Sequence, residues 1–144
     1  MDGAPTSTAW PDLRLNLIII NRPAMKLLDN IYSVEAIDLA SSTVTIKLLA
    51  DSTIYRAHFP EMPVTPGVCI IGIAVELASA LSGTDLQLAE VVNAKFLSLI
   101  DPRRSPEIQY KFSFKNGLDT RPLNCSAVVA DSSTTFAKLS LILD

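Results

Sequence analysis

Residues 32–39 and 43–50 alternate apolar with polar positions and are rich in β-branched side chains. Ala40-Ser41-Ser42 separates them, so the pattern predicts a β-hairpin. Residues 90–100, 107–115, 123–130 and 134–143 carry four further strand patterns, punctuated by the turn signals Asn116-Gly117 and Asp131-Ser132-Ser133. Residues 68–82 contain no proline, are rich in alanine and stop at Gly83, which predicts the one long helix. Met25, Leu28 and Ile31 or Tyr32 fall at helical spacing and predict a short helix over residues 24–31. Residues 52–59 read as a short extended piece running into the proline-rich stretch 60–67. The order is hairpin, long helix, then an antiparallel run of strands, an α+β arrangement and not an alternating βαβ one. No internal repeat or linker divides it.

The start of the chain stands apart. Residues 1–12 are small and polar with two prolines, and residues 13–20 are apolar at 13, 15 and 17–20. No basic region precedes that run and no small-residue cleavage site follows it, so it fails as a signal peptide. It predicts a short strand or helix. The expected organisation is an N-terminal extension over residues 1–24, partly mobile, and one domain over residues 25–144. Met25 is a candidate natural start.

Hydrophobic residues make up 49% of the 144 and charged residues 19%, enough for one sizeable core. Twelve Lys and Arg against fifteen Asp and Glu leave a net charge of −3 with no basic block, which argues against nucleic acid as a partner. The longest apolar stretches fall far short of the roughly 20 residues that span a bilayer. Cys69 and Cys125 have no neighbouring ligand pattern and imply no disulfide framework. One cytoplasmic domain, soluble and free of metal, is the expectation.

Val68, Ile70, Ile71, Ile73, Val75, Leu77 and Leu81 cover nearly every face of the long helix, so it should be buried all round. Gly72, Ala74, Ala78, Ser79 and Ala80 keep it thin enough for a curved sheet to wrap close. Glu76 is the only acid in this uncharged segment, and a buried carboxylate calls for a partner or a task. A surface position in a polar seam with Ser79 is the plain alternative. His58 is the only histidine. Three prolines in the seven residues 60–66 stiffen the loop that joins it to the helix. Thr65 is placed to cap the helix and Pro66 suits its first position. The Gly67 and Val68 amides would then be open donors where a carbonyl oxygen gains negative charge. A base, a buried acid and an oxyanion site within nineteen residues form a constellation for proton transfer.

The stretch His58-Phe59-Pro60-Glu61-Met62-Pro63-Val64-Thr65-Pro66-Gly67-Val68 resembles the HFPGxPxxPGV signature of hotdog-fold 3-hydroxyacyl-ACP dehydratases. The ending Pro66-Gly67-Val68-Cys69, with Ala74-Val75-Glu76-Leu77, is similar to the dehydratase-like proteins of aryl polyene biosynthesis. Met25-Lys26-Leu27-Leu28-Asp29-Asn30 and Asn93-Ala94-Lys95-Phe96-Leu97 extend the likeness, which covers residues 25–144 in layout. The resemblance implies a hotdog fold, a long central helix wrapped by an antiparallel sheet and paired as a dimer with the active site at the interface. It implies His58 as the catalytic histidine, Gly67 as the glycine whose amide binds the thioester carbonyl, and Val64 as the residue whose carbonyl oxygen holds the imidazole. Val68, beside Gly67, would belong to the same oxyanion and substrate site, and Gly72 would leave space there for substrate or water.

Two positions depart from the pattern. Glu61 stands where the family has glycine, and the usual catalytic acid falls at Gly72. Glu76 is four residues on, about 40° round and about 6 Å along the same helical face, so it can reach the same cavity from one turn deeper. The implied reaction is loss of water from a 3-hydroxyacyl thioester, with His58 as base and Glu76 of the partner chain as acid. It needs no metal or organic cofactor. The implied partners are an acyl carrier protein or coenzyme A carrying the substrate, and a second hotdog chain, identical or different. Arg56, Lys95, Arg103 and Arg104 would offer a docking face to an acidic carrier. The competing expectations are a non-catalytic acyl-binding subunit of a heterodimer and, on the same fold, an acyl thioesterase.

Overall fold

The computed structural model describes residues 27–58 and 64–144, apart from the side chains of Ile54 and His58. The expected extension over residues 1–24, the apolar run 13–20, Met25 and Glu61 lie outside the described residues. The elements in chain order are β1 (Tyr32–Asp38), β2 (Thr43–Leu48), α1 (Thr53–His58), α2 (Gly67–Ser82), β3 (Leu88–Phe96), β4 (Glu107–Lys115), β5 (Leu123–Ala130) and β6 (Thr135–Leu143). The strands form one antiparallel sheet in the order β1-β2-β4-β5-β6-β3. The α+β expectation, a long helix against an antiparallel sheet, is what the chain builds.

Alternation fixes which face of the sheet is buried. Ile108, Tyr110 and Phe112 of β4 turn inward while Gln109, Lys111 and Ser113 face out. Leu123, Cys125, Ala127 and Val129 of β5 and Leu139, Leu141 and Leu143 of β6 continue that inner face. Register follows, because a one-residue slip would turn these side chains to water. Tyr110↔Val129 and Ala127↔Leu139 are paired across it.

The inner face closes on α2. Cys69 through Val75, with Leu77 and Ala78, are buried, which fits a helix apolar on every side. Tyr110 ties sheet to helix directly, its hydroxyl donating to the Ile70 carbonyl at 2.9 Å. The helix ends where Gly83 takes the left-handed conformation (φ 73°) and donates its amide to the Ser79 carbonyl.

Three local expectations are corrected. Residues 53–58 are helical, not extended. The Ser52 carbonyl accepts the Arg56 amide, and Tyr55 anchors the short helix by complete burial. The β-branched Thr53 and the aromatic Tyr55 suggest a strand locally, and packing overrides that preference. The described part of the predicted helix 24–31 is a single turn. Asn30 and Ile31 both donate to the Leu27 carbonyl, and Asp29 then takes φ 65°, which ends any helix. Finally, β3 stops at Phe96 and not at residue 100. The Leu97 and Ser98 amides both turn to the Phe136 carbonyl, at 2.8 and 3.2 Å. The chain leaves the sheet there and reaches Ile100, whose carbonyl accepts the Thr65 amide at 2.8 Å. That bond brings the loop after β3 against the start of α2.

Candidate active site

The site begins where α1 ends at His58 and α2 starts at Gly67. Pro66 is the N-cap, extended at φ −61° and ψ 145°, and its carbonyl accepts the Cys69 and Ile70 amides. Thr65 does not cap the helix, contrary to expectation. Its hydroxyl is taken by Tyr55 across a 2.8 Å bond, and among the described residues no side chain caps the start of α2. Gly67 and Val68 are half-buried first-turn residues, so their amides have no intrahelical acceptor. No acidic side chain sits in that turn to neutralise the positive end of the dipole. Such a turn can stabilise an oxygen that gains negative charge. Val64 is buried immediately before it.

Burial pushes the Tyr55 phenol well above its usual range, against the opposing effect of the Thr65 hydrogen bond. It therefore stays a neutral hydroxyl at any physiological pH. Asp101, next along from Ile100, is held below the usual carboxylate range. Partial burial opposes this, and the Arg103 side-chain and backbone hydrogen bonds outweigh it.

One turn below Gly72, which is buried, Glu76 is half-buried and heavily engaged. Its Oε2 accepts the Leu27 amide at 2.7 Å. Its Oε1 accepts the Leu28 amide and the Tyr32 hydroxyl, each at 2.9 Å. These donors lie 44 to 49 residues away in sequence, so the carboxylate pins the turn before β1 onto α2. It is neither an acid standing free in a cavity nor a group in a seam with Ser79. The Ser79 hydroxyl instead donates to the Val75 carbonyl and accepts the Leu86 amide. Burial and then the Glu76 charge push the Tyr32 phenol far above its ordinary range, and the same two causes push the Cys69 thiol up to about 12.

The four basic residues expected to form a docking face are exposed, yet not all are free. Arg56 donates to the Asp51 carbonyl at 2.7 Å, and Arg103 pairs with Asp101 at 3.3 Å. The structure thus places buried Val64 just before α2, Gly67 and Val68 in its first turn and Gly72 buried one turn further on, with α1 leading to His58, and gives Glu76 to the N-terminal turn. Sequence reading missed Tyr55 and Tyr32. A tyrosine within an apolar pattern carries no local sign of which distant polar group its hydroxyl will meet.

Comparison with known proteins bears on the family and the fold. A family model described as ApeI-like, ApeI dehydratase, matches residues 35–129. The 3-hydroxyacyl-[acyl-carrier-protein] dehydratase FabZ of Lactiplantibacillus plantarum is 26% identical over 133 residues, covering 83% of this chain and 90% of its own. Among solved structures, the sigma28-regulated virulence protein Cj0977 from Campylobacter jejuni is similar with a TM-score of 0.57 at 10% identity, over 90% of this chain and 94% of its own. A putative thioesterase, a phenylacetic acid degradation-related protein from Ralstonia eutropha JMP134, has a TM-score of 0.54 at 11% identity, over 94% of this chain and 91% of its own. The two structures show the hotdog fold alone. The family match spans about two thirds of the residues, and the chain belongs to the ApeI-like dehydratase family.

Proposed function

We propose that the protein is a dehydratase that removes water from a 3-hydroxyacyl thioester on an acyl carrier protein, giving the trans-2-enoyl thioester. One observation supports this most: the helix ending in the only histidine is tied through Tyr55 and Thr65 to an uncapped helix start with open amides. His58 takes the proton from the carbon next to the thioester carbonyl, and Val64 supplies the carbonyl that orients its ring. The electron pair moves onto the carbonyl oxygen, where the Gly67 amide at the positive end of α2 holds the charge. Collapse of the enolate breaks the bond to the 3-hydroxyl, which leaves as water on gaining one proton. Val68 and Gly72 flank the acyl chain. The name of the related FabZ supports the carrier-bound substrate.

The donor of that last proton divides two versions of the mechanism. Glu76 of a partner chain is the acid implied by its place one turn below Gly72. Its oxygens already accept three donors, two on Oε1 and one on Oε2, so the proton that it delivers would sit on Oε2. In the other version His58 returns the proton that it removed. A second reading, a non-catalytic acyl-binding subunit completed by a different hotdog chain, is favoured by the same two features, the missing side chain at Gly72 and the committed Glu76.

The test is hydration of a trans-2-enoyl thioester, offered on acyl carrier protein and on coenzyme A, by the wild type, His58→Ala and Glu76→Gln. The dehydratase reading expects wild-type turnover and a loss of about 10² to 10⁴ in His58→Ala. An equal loss in Glu76→Gln, in protein that is still folded and holds the Leu27–Tyr32 turn at the assay temperature, assigns the acid to Glu76, and near-wild-type turnover in that variant assigns both steps to His58. A folded wild type that is inactive alone, and active once a second hotdog chain is added, favours the subunit reading.

A further inference from the structure

Two hydroxyls face each other in the core, between α1 and the start of α2. Tyr55 is fully buried in α1, three residues before His58, and Thr65 is 6% exposed, two residues before Gly67. Their 2.8 Å bond closes ten residues of chain. Thr65 is held a second time by its amide, which donates to the Ile100 carbonyl at 2.8 Å. We propose that Tyr55 and Thr65 are positioning residues, a strut that sets the separation of the end of α1 from the first amides of α2. This rests on the dehydratase reading for its catalytic consequence, though not for its geometry.

The chemistry of the pair argues for position over stability. A phenylalanine facing a valine would fill the same space without desolvating two hydroxyls, and such paired apolar replacements are often neutral or stabilising. What the apolar pair lacks is direction. A hydrogen bond of fixed length, from the middle of a six-residue helix, transmits its geometry to the last residue of that helix. On the other side, Thr65 is braced by the loop after β3, so the strut has a fixed end. A base and an oxyanion donor on different elements need such a brace, since a misplacement of about 1 Å can cost about 10² in rate.

The experiment compares Tyr55→Phe, Thr65→Val, the double variant Tyr55→Phe/Thr65→Val, Thr65→Ser, and Ser79→Ala at the far end of α2. Two readouts are taken on each full-length protein. One is kcat and KM for enoyl thioester hydration. The other is the imidazole C–H resonance of His58, resolved without assignment because the chain has a single histidine. The strut expects kcat to fall by about tenfold or more in both single variants and in the double variant, with KM little changed. It expects the His58 resonance to move in the same three, while Thr65→Ser and Ser79→Ala stay near wild type. The double variant is decisive because it should melt close to the wild type, so a loss of kcat there is not a loss of fold. An unmoved His58 resonance in the double variant overturns the strut whether or not the protein is active. A moved resonance in a protein with no hydratase activity upholds the strut and overturns the dehydratase reading.

Discussion

Replacing Glu76 with glutamine changes one oxygen into a donor at a site where three donors converge. The least disruptive placement keeps oxygen at the Oε1 position, so the Leu28 amide and the Tyr32 hydroxyl retain their acceptor. The new NH₂ then faces the Leu27 amide at the place of the 2.7 Å bond, and two donors oppose each other. Leu27 is buried, so its amide cannot simply turn to water. A hydrogen bond to a charged group contributes about 1.5–3 kcal/mol, and the two retained bonds lose their charge assistance. The expected loss is about 2–3 kcal/mol. For a domain of this length that corresponds to a fall in Tm of about 6–12 °C, at about 3–4 °C per kcal/mol. Tyr32→Phe removes one donor and leaves both amides bound, so about 1 kcal/mol is expected. The double variant should lose less than the sum, since both changes act on one carboxylate. Melting curves at one protein concentration measure this, and amide hydrogen exchange should quicken at Leu27 and Leu28 in Glu76→Gln. An unchanged Tm together with unchanged exchange at these amides would refute the clamp.

Other consequences are open to direct measurement. Burial, and for Cys69 also the Glu76 charge, raises both thiols from 9.0 to about 12, so the unfolded chain releases these protons first as pH rises. Stability present below pH 9 should therefore fall from pH 9 toward 12, with a shallower decline in Cys69→Ala, as read from denaturant midpoints. In the native protein neither thiol should react with an alkylating reagent at neutral pH. Gly83→Ala meets no atom within 4 Å of the added Cβ, so its cost comes only from φ 73°. It should destabilise by about 1 kcal/mol in urea unfolding, and a neutral result would mean that this cap is unstrained.

How legible the structure is in the sequence depends on the range of the forces involved. β4 and β5 are found to the residue because Ile108-Gln109-Tyr110-Lys111-Phe112 and Leu123-Asn124-Cys125-Ser126 alternate, and alternation is a local signal. The long helix is bracketed by Pro66 and Gly83 for the same reason. The strand order is not local. Nothing in residues 88–96 says that they will pair with β6 and lie at the edge beyond it. The site shows the same division. Gly67 and Val68 follow from the start of α2, whereas Thr65 fits a cap motif and is drawn away by a tyrosine ten residues back. Glu76 stands out in its apolar segment, but its donors are set by packing 44 to 49 residues away, beyond any spacing rule.

In the proposed reaction His58 removes a proton from carbon beside a thioester whose oxygen sits on the start of α2. Hydration of a trans-2-enoyl thioester in D₂O tests this at the bond concerned. The expected product is a 3-hydroxyacyl thioester carrying a single deuterium at C2, formed by the wild type and lost in His58→Ala, with the melting curve of that variant unchanged. Labelled product formed equally well by His58→Ala would contradict the proposed reaction.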